Sequence, residues 1–230
     1  MPDFKEQNSP PLVRIVHQDD RIVVVEKPSG LVVHRGWVRS EEALLQIVRD
    51  RVGAYVHPIH RLDRSASGLV VFALDTDTAR DLSQAFAEGR VSKTYLAITR
   101  GHPPKNLVVD HPVPKGPKAP RIDAVTEIRC VETFGRYALV QAVPRTGRFH
   151  QIRRHLKHIS CPIIGDVNYG KGEHNRIFRE QHGLFRLALH SIQLEFTHPA
   201  DGSWIRLESE LPSDIRAAAA SCRHTYGKMG

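Results

Sequence analysis

Cysteine is scarce in this sequence, and its few occurrences form no pattern. The chain has 230 residues and three cysteines, Cys130, Cys161 and Cys222, which lie far apart. No pair has the short spacing of a zinc-binding or redox motif. This usage excludes a disulfide-framed secreted domain and favours reduced thiols in a cytoplasmic protein.

Long hydrophobic runs are also absent. No stretch approaches the roughly 18 apolar residues that a membrane-spanning helix needs. Residues 1–11 are polar and rich in proline, and they lack the apolar segment of a signal peptide. We therefore expect no membrane partner, a cytoplasmic location, a disordered tail over residues 1–11 and a single domain over residues 12–230.

Familiar metal, cofactor and nucleophile motifs are missing as well. The glycines between residues 165 and 172 have the wrong spacing for a phosphate loop or a dinucleotide fingerprint. No serine or cysteine stands in a nucleophile-elbow context. Neither His57 and His60 nor the histidines of residues 150–158 have zinc-ligand spacing, and we expect the latter to face phosphate or solvent. We expect neither a metal nor a cofactor.

Basic residues, in contrast, are in excess. The chain has 33 lysines and arginines against 25 acidic residues, which gives a formal net charge of +8. Residues 145–186 hold much of the excess, with nine basic and three acidic residues. A balance of this size favours nucleic acid or another polyanion as the partner, with a solvated basic surface as the alternative.

The segment from His60 to Gly68 combines charge with small residues and is followed at once by the apolar run 69–74. Its carboxylate, Asp63, stands close to Arg61 and Arg64, and nearby cations favour the ionised form of an acid. An ionised, oriented aspartate serves as a nucleophile or as the partner in a structural ion pair. Taken alone, the segment favours the structural ion pair.

Hydrophobic periodicity predicts many strands, few helices and no regular alternation of the two, which indicates an α+β fold with a mixed but largely antiparallel sheet. We expect a long basic, proline-rich loop arm over residues 102–122 and a polar loop over residues 168–183. The predicted strands cover residues 12–16, 22–25, 31–34, 69–74, 91–100, 107–109, 125–130, 137–143, 187–190 and 193–197. The predicted helices cover residues 41–52 with Ser40 as the N-cap, the stretch from Asp75 or Asp77 to Gly89, residues 150–159, and residues 215–222 capped by Asp214.

Four stretches, in order, resemble the motifs of the RluA-type pseudouridine synthases. The segment from His60 to Gly68 resembles the family signature, and residues 27–31 resemble the motif that precedes it. Residues 93–97 resemble the motif with the active-site tyrosine, and residues 146–153 resemble the motif with a basic residue. The resemblance implies the pseudouridine synthase fold, with helices flanking the sheet and loops that grip RNA.

The resemblance also implies an active site. Asp63 would be the catalytic aspartate, Tyr95 would stack on the target uracil, and Arg153 would pair with Asp63. Arg61 would fill the space left by the flipped nucleotide. Further substrate-binding positions that follow from the motifs are Leu62, Arg64, Lys93, Arg148, His150 and Arg154. Because the distant Tyr95 and Arg153 complete the set, the catalytic interpretation of Asp63 displaces the structural ion pair.

The segment 33–37 and the stretch from Gly165 to Leu187 are similar to a subgroup of that family whose members modify tRNA. This similarity implies the uridine at position 65 in the T stem as the target. We also expect a monomer with no obligatory protein partner. We expect no additional N-terminal RNA-binding module. A ribosomal RNA substrate, or a non-catalytic RNA-binding protein of the same fold, is the alternative. One departure is Ala66, where the family usually has threonine, and the lost hydroxyl is expected to affect fine tuning only.

Overall fold

The computed structural model describes residues 13–35, 43–116 and 119–227. The predicted tail over residues 1–11, the predicted cap Ser40 and residues 36–37 of the subgroup segment lie outside these ranges. The strands are β1 Arg14–Gln18, β2 Ile22–Lys27, β3 His57–Pro58, β4 Ser67–Ala73, β5 Ser92–Arg100, β6 Asn106–Asp110, β7 Val113–Pro114, β8 Arg121–Ile122, β9 Val125–Phe134, β10 Tyr137–Pro144, β11 Leu189–Thr197 and β12 Trp204–Glu208. The helices are α1 Leu44–Val52, α2 Thr76–Ala87, α3 Gln151–His158, α4 Gly172–His182 and α5 Ser213–Tyr226.

Ten of these strands form one mixed sheet. Its order is β1-β2-β4-β11-β5-β10-β9-β6, with β12 beside β11 and β3 beside β4. Strands β4 and β11 run parallel, and the other described pairs are antiparallel. Strands β7 and β8 form a separate two-stranded ribbon within the predicted loop arm. The predicted α+β class and the largely antiparallel sheet are therefore confirmed.

The sheet has a core on each face, and this explains the continuous apolar runs of β2 and β4. Val23 and Val25 point into the larger core, whereas Ile22 and Val24 point into the smaller one. Successive side chains of a strand alternate between faces, so a strand covered on both sides needs apolar residues at every position. Helix α2 covers the smaller core, and the other four described helices contribute to the larger one.

The segment predicted as a polar loop over residues 168–183 contains helix α4, so that prediction was wrong. His174, Phe178 and His182 are spaced four residues apart and form one buried stripe. His174 Nδ1 lies 3.1 Å from the Tyr137 hydroxyl, and His182 Nδ1 lies 2.9 Å from Ser221 Oγ. The histidines were counted as polar, but a buried histidine with a hydrogen-bond partner serves as a core residue.

The C-terminal strands also differ from the prediction. The two strands expected at 187–190 and 193–197 are one strand, β11, interrupted by a register shift between Ser191 and Gln193. Strand β12 was missed. Residues 31–34 form only a single bridge, Val32 to Ala43, instead of a strand. Asp214 is not the N-cap of α5, because the helix begins at Ser213 after Pro212 and Asp214 lies in its first turn.

Both faces of strand β5 are covered. Lys93, Tyr95 and Thr99 are all buried, because β5 lies between β11 and β10 in the middle of the sheet. No helix in the described part of the chain is long and apolar enough to cross a membrane.

Candidate active site

Asp63 lies in the loop that connects β3 to β4. The loop turns tightly, because the Ala66 amide donates to the Asp63 carbonyl at 3.0 Å. Just beyond it, Gly68 adopts a φ of +117°, and a Cβ there would lie 2.3 Å from the carbonyl oxygen of Ser191 in β11. Only glycine permits this approach of two backbones. The pairing of β4 with β11 therefore fixes the base of the Asp63 loop.

Lys27, at the end of β2, supports this loop from below. Its ammonium donates to the carbonyl oxygens of Pro28, Leu31 and Arg64 at 2.9, 2.7 and 3.1 Å. Burial lowers the pKa of Lys27 to about 7. A buried amine with three carbonyl acceptors satisfies backbone groups that would otherwise lack partners. The motif of residues 27–31 is thus a scaffold for the residue that follows Asp63.

Arg64 belongs to the same scaffold. Its Nε donates to the Gly30 carbonyl at 2.9 Å, and its own carbonyl accepts from the Gly30 amide at 2.8 Å. Ser29 Oγ donates to the Ser65 carbonyl at 2.8 Å. The described residues that line the cleft over Asp63 do not include Arg64. The structure places this predicted substrate-binding residue where the two motifs join.

Arg153 bridges two carboxylates. Its Nη1 donates to Asp63 Oδ2 at 2.8 Å, while Nε and Nη2 donate to the two oxygens of Asp166 at 2.7 and 2.8 Å. Burial opposes the charge of Arg153, but its hydrogen bonds to the carboxylates of Asp166 and Asp63 raise its pKa above the ordinary value. The guanidinium therefore stays charged and holds one oxygen of Asp63 in a fixed place.

Asp166 is fully buried and anchors Arg153. Its Oδ1 also accepts from the amides of Asn168 and Tyr169 at 2.9 and 3.0 Å. Burial alone would raise the pKa of Asp166, but the hydrogen bonds and charge of Arg153 and these amides lower it below the ordinary value. The preceding Gly165 has a φ of +79°, and a Cβ there would lie 2.0 Å from a backbone oxygen of Arg186. Both constraints fix Asp166 in one orientation.

Tyr95 lies in β5 beside the register shift of β11. Ser191 pairs with it across the two strands. Burial raises the pKa of Tyr95 to about 12. The phenol is therefore protonated at neutral pH. Bulges of this kind are frequent next to active sites, where they redirect a side chain.

The turn before helix α3 is organised by Gln151. Its Oε1 accepts from Thr146 Oγ1 at 2.7 Å and from the Arg148 amide at 3.0 Å. Its Nε2 donates to Val125 O and Thr126 Oγ1, both at 2.9 Å. Both donor hydrogens and both acceptor lone pairs of the amide are thus used, and the turn is fixed against β9.

His150 stands at the N-cap of α3 in a left-handed conformation, with a φ of 53°. Its Nε2 lies 3.6 Å from Asp63 Oδ1, and its Nδ1 lies 3.1 Å from the Tyr169 hydroxyl. Arg148 is exposed on the same turn, where its Nε donates to the Asp123 carbonyl at 3.1 Å. The structure therefore brings His150, but not Arg148, against the carboxylate of Asp63.

Arg154 points away from Asp63. Its Nη1 donates to the Pro114 carbonyl at 2.6 Å and its Nε donates to the Tyr169 hydroxyl at 2.9 Å. The neighbouring His155 is fully buried, between Thr126 Oγ1 and the His111 carbonyl, both at 2.9 Å. The expectation that His155 faces phosphate or solvent was wrong, since both ring nitrogens have internal partners. Arg154 and His155 attach the β7–β8 ribbon to α3.

A cleft of about 710 Å³ opens over Asp63. It has the size of a typical ligand pocket. The predicted residues that line it are Asp63, Tyr95, Arg153, Arg61, Leu62, Lys93, Arg148 and His150. Leu62 and Lys93 are buried in its wall, and burial lowers the pKa of Lys93, whose ammonium lies 5.4 Å from the centre of the Phe86 ring. Arg61 is exposed at its mouth.

The chemistry of this cleft is that of an oriented carboxylate beside a protonated phenol. Asp63 keeps one oxygen on Arg153, and about a fifth of its side-chain surface is exposed. The other oxygen of Asp63 can attack an electrophilic carbon or accept a proton. Among the residues that the structure describes, no group of three or more His, Cys, Asp or Glu side chains is placed to hold a metal ion.

Three residues that shape the site received no role from the sequence: Lys27, Gln151 and Asp166. Lys27 and Gln151 lie within two of the family-like motifs, residues 27–31 and 146–153, but the motifs do not indicate what these side chains bind. Asp166 was noticed only as part of a similar segment. A buried carboxylate after a glycine gives no local indication that an arginine thirteen positions earlier is its partner.

Comparison with known proteins adds independent support. The model of the RNA pseudouridylate synthase family matches residues 21–158. The tRNA pseudouridine synthase C of Vibrio cholerae is 39% identical over 211 residues, which cover 82% of this chain and 86% of the relative. The enzyme of the same name from Haemophilus ducreyi is 40% identical over 208 residues, which cover 80% of this chain and 85% of the relative.

Solved structures agree with these relatives. Human RNA pseudouridylate synthase domain containing 4 superposes with a TM-score of 0.75 at 29% identity, over 91% of this chain and 92% of its own. Human RNA pseudouridylate synthase domain containing 1 superposes with a TM-score of 0.71 at 25% identity, over 86% and 83% of the two chains. The fold, the matched motifs and the relatives together show that this chain is an RluA-type member of the RNA pseudouridylate synthase family.

Proposed function

We propose that this protein isomerises one uridine of tRNA to pseudouridine, at position 65 in the T stem, with Asp63 as its catalytic aspartate. The observation that carries the proposal is the contact between Asp63 and Arg153, because it presents an oriented carboxylate to a cleft of about 710 Å³. The tRNA substrate rests on the two bacterial relatives described above, which are named for tRNA.

The reaction breaks the glycosidic bond between N1 of uracil and C1′ of the ribose, turns the base, and joins C5 to C1′. Its target must leave the helical stack to reach Asp63, since a paired base is inaccessible. Asp63 then acts on the sugar or on the base, and Arg153 keeps the carboxylate oriented throughout. Tyr95 offers a ring in the cleft wall on which the uracil stacks, with a contribution of roughly 1–3 kcal/mol.

The basic residues around the cleft supply contacts to the RNA backbone. Arg61 and Arg148 are exposed at the cleft, and Lys115 extends toward it from the β7–β8 ribbon. Arg61 is suited to the space that a flipped nucleotide leaves, because its long, planar side chain can stack on bases and bind phosphate. Binding should weaken as salt rises, since each phosphate contact releases counterions.

We further propose that the protein acts as a cytoplasmic monomer without an obligatory protein partner. Its three cysteines are free, as in a reducing compartment.

Mapping pseudouridine in cells that lack this protein tests the substrate. We expect the modification to disappear from position 65 of tRNA and to return when the wild-type gene is supplied. The matched control is the gene with Asp63→Ala, which we expect to leave tRNA unmodified although the protein still binds RNA. Loss confined to ribosomal RNA, or full restoration by Asp63→Ala, would overturn the substrate or the catalytic residue, respectively.

A further inference from the structure

His150 has a backbone conformation that its residue type does not favour. Its φ of 53° and ψ of 28° are left-handed, and Ser160 is the other described non-glycine residue with a positive φ. Glycine or asparagine would adopt this conformation more readily than histidine. Strained residues of this kind cluster at functional sites, where the side chain justifies the backbone cost. The left-handed backbone of His150 therefore points to a function for its imidazole.

The imidazole is held between the reactive carboxylate and a tyrosine. Nε2 lies 3.6 Å from Asp63 Oδ1 and faces the cleft, which His150 lines. Nδ1 lies 3.1 Å from the Tyr169 hydroxyl, whose oxygen also accepts from Arg154 Nε at 2.9 Å. The ring stacks on Phe149 with 3.8 Å between centroids. In the tautomer with hydrogen on Nδ1, Nδ1–H donates to Tyr169 and Nε2 carries its lone pair toward the cleft, with Asp63 Oδ1 beyond hydrogen-bonding distance.

The charged groups around His150 bear on its protonation. Burial lowers the pKa of His150, with Arg153 and Arg154 acting in the same direction, while Asp63 and Asp166 oppose them. The net direction favours a neutral imidazole, which accepts a proton and returns it.

Three other titratable groups that line the cleft are less suitable as proton acceptors. Tyr95 is protonated at neutral pH, because its pKa is about 12. The Nε2 lone pair of His60 already accepts from the Val71 amide at 3.2 Å. Glu88 is exposed and is paired with Arg90. Among these groups of the described chain, His150 combines an imidazole whose neutral form is favoured with a ring nitrogen 3.6 Å from Asp63 Oδ1.

We propose that His150 is a catalytic residue that carries the proton from C5 of the uracil to N1. This inference rests on the proposed function, since any route to pseudouridine requires that transfer. Once C5 has bonded to C1′, C5 carries both the sugar and its hydrogen, and N1 is doubly bonded to C6. Nε2 of His150 takes the proton from C5, and the electrons of the C–H bond form the C5–C6 double bond. The electron pair of the N1–C6 bond moves to N1, which receives the proton from the imidazolium, so that the uracil is neutral again.

Two variants of His150 test this role on a tRNA transcript with hydrogen or deuterium at C5. His150→Gln keeps the polarity of the side chain but cannot carry the proton, so we expect single-turnover rates to fall about 10²- to 10⁴-fold. Proton removal should then limit the rate and produce a primary isotope effect at C5. His150→Gly relieves the backbone strain, so it should fold, and added imidazole should restore its rate. Rescue by a series of substituted imidazoles should follow their basicity.

Ser160→Gly is the matched control, because it relieves the same left-handed conformation at an exposed position outside the cleft. We expect it to keep the wild-type rate and to show neither rescue nor an isotope effect. Wild-type rates for both His150 variants, or a C5 isotope effect that arises only in Tyr95→Phe, would overturn the inference. If the wild-type protein converts only ribosomal RNA, the proposed substrate is wrong, and the same variants decide the role of His150 on that RNA.

Discussion

Arg153 binds two aspartates, Asp63 and Asp166, which differ in burial, in hydrogen-bond partners and in access to the cleft. Asp166 is fully buried, accepts two guanidinium hydrogen bonds and two backbone amides, and lines no part of the cleft described above. Asp63 accepts one guanidinium hydrogen bond, keeps 20% of its side chain exposed and faces the cleft. One carboxylate has its acceptor sites occupied by protein, whereas the other keeps an oxygen available for chemistry.

The difference shows how a fold separates anchoring from reactivity. An arginine held by Asp63 alone would be free to rotate with it, and the carboxylate would lose its fixed orientation. Asp166 holds the guanidinium in a bidentate arrangement, so the hydrogen bond to Asp63 starts from a rigid donor. We expect the two aspartates to respond differently to substitution, one in activity and the other in stability.

Asp63→Asn should have the largest effect on activity. We expect tritium release from C5-labelled uridine in tRNA to fall about 10⁴-fold or more, because an amide acts neither as a nucleophile nor as a base on the sugar. Arg153 keeps both hydrogen bonds to Asp166, so the free energy of unfolding should change by about 1 kcal/mol or less. Urea denaturation measures the second quantity. Full tritium release by the variant would contradict the assignment.

Asp166→Asn should reverse this pattern. It leaves the buried Arg153 with half of its partners, and breaking a buried pair costs about 3–5 kcal/mol of unfolding free energy at pH 7. The pKa of Asp166 is lowered in the folded protein, so its stabilisation is present above the ordinary carboxyl range and is lost as pH falls through the lowered value. Denaturation curves of wild type and variant should therefore converge in acid. Equal stabilities at pH 7 would show that Asp166 is not the anchor.

The role of Asp63 could be predicted from the sequence, whereas the role of Asp166 could not. The charged segment around Asp63 and its apolar strand were visible locally, but the partner Arg153 lies ninety positions away. That pairing was expected only because the motifs resembled a known family. Nothing comparable marked Asp166, since its role arises from a tertiary contact and from burial that spacing does not report.

The fold shows the same division. Strands β2 and β4 were predictable because β-branched, fully apolar runs are typical of strands buried on both faces. Helix α4 was not, because its buried stripe consists of His174, Phe178 and His182, and two of these become core residues only through Tyr137 and Ser221. Hydrophobic periodicity identifies helix faces made of apolar residues, but it misses a buried face whose polar side chains are paired by tertiary hydrogen bonds.

Lys27→Met should disturb the loop that holds Asp63 and leave Asp166 in place. Asp166 is fixed by its own amide partners, whereas the Asp63 loop depends on the ammonium that binds the Arg64 carbonyl. We expect kcat to fall about 10²-fold through misplacement of the carboxylate, with little change in KM for tRNA. An exposed lysine, replaced in Lys171→Met, is the control and should leave kcat unchanged. A wild-type kcat for Lys27→Met would contradict the scaffold role.

The same substitution should change the pH dependence of stability. The pKa of Lys27 is about 7 in the folded protein, below the ordinary lysine value, so the unfolded state binds more protons between the two values. Wild-type stability should therefore rise with pH from about 7 to about 10, by as much as 1.4 kcal/mol per unit in this window. Lys27→Met should lose that rise. Urea denaturation of both proteins at pH 7 and pH 9 measures this rise in unfolding free energy. The same change between the two pH values in wild type and variant would refute the prediction.

Ala66→Thr should have the smallest effect, although it restores the residue that the family usually has. The Ala66 amide, not its side chain, holds the Asp63 carbonyl, and its buried methyl group lines the cleft wall. Threonine adds a small volume where the cleft offers room, so we expect about 1 kcal/mol of destabilisation or less and a rate within about threefold of wild type. Single-turnover rates on the tRNA transcript provide the measurement. A tenfold change in either direction would mean that the side chain at this position helps to orient Asp63, and that the anchor through Arg153 and Asp166 is not sufficient by itself.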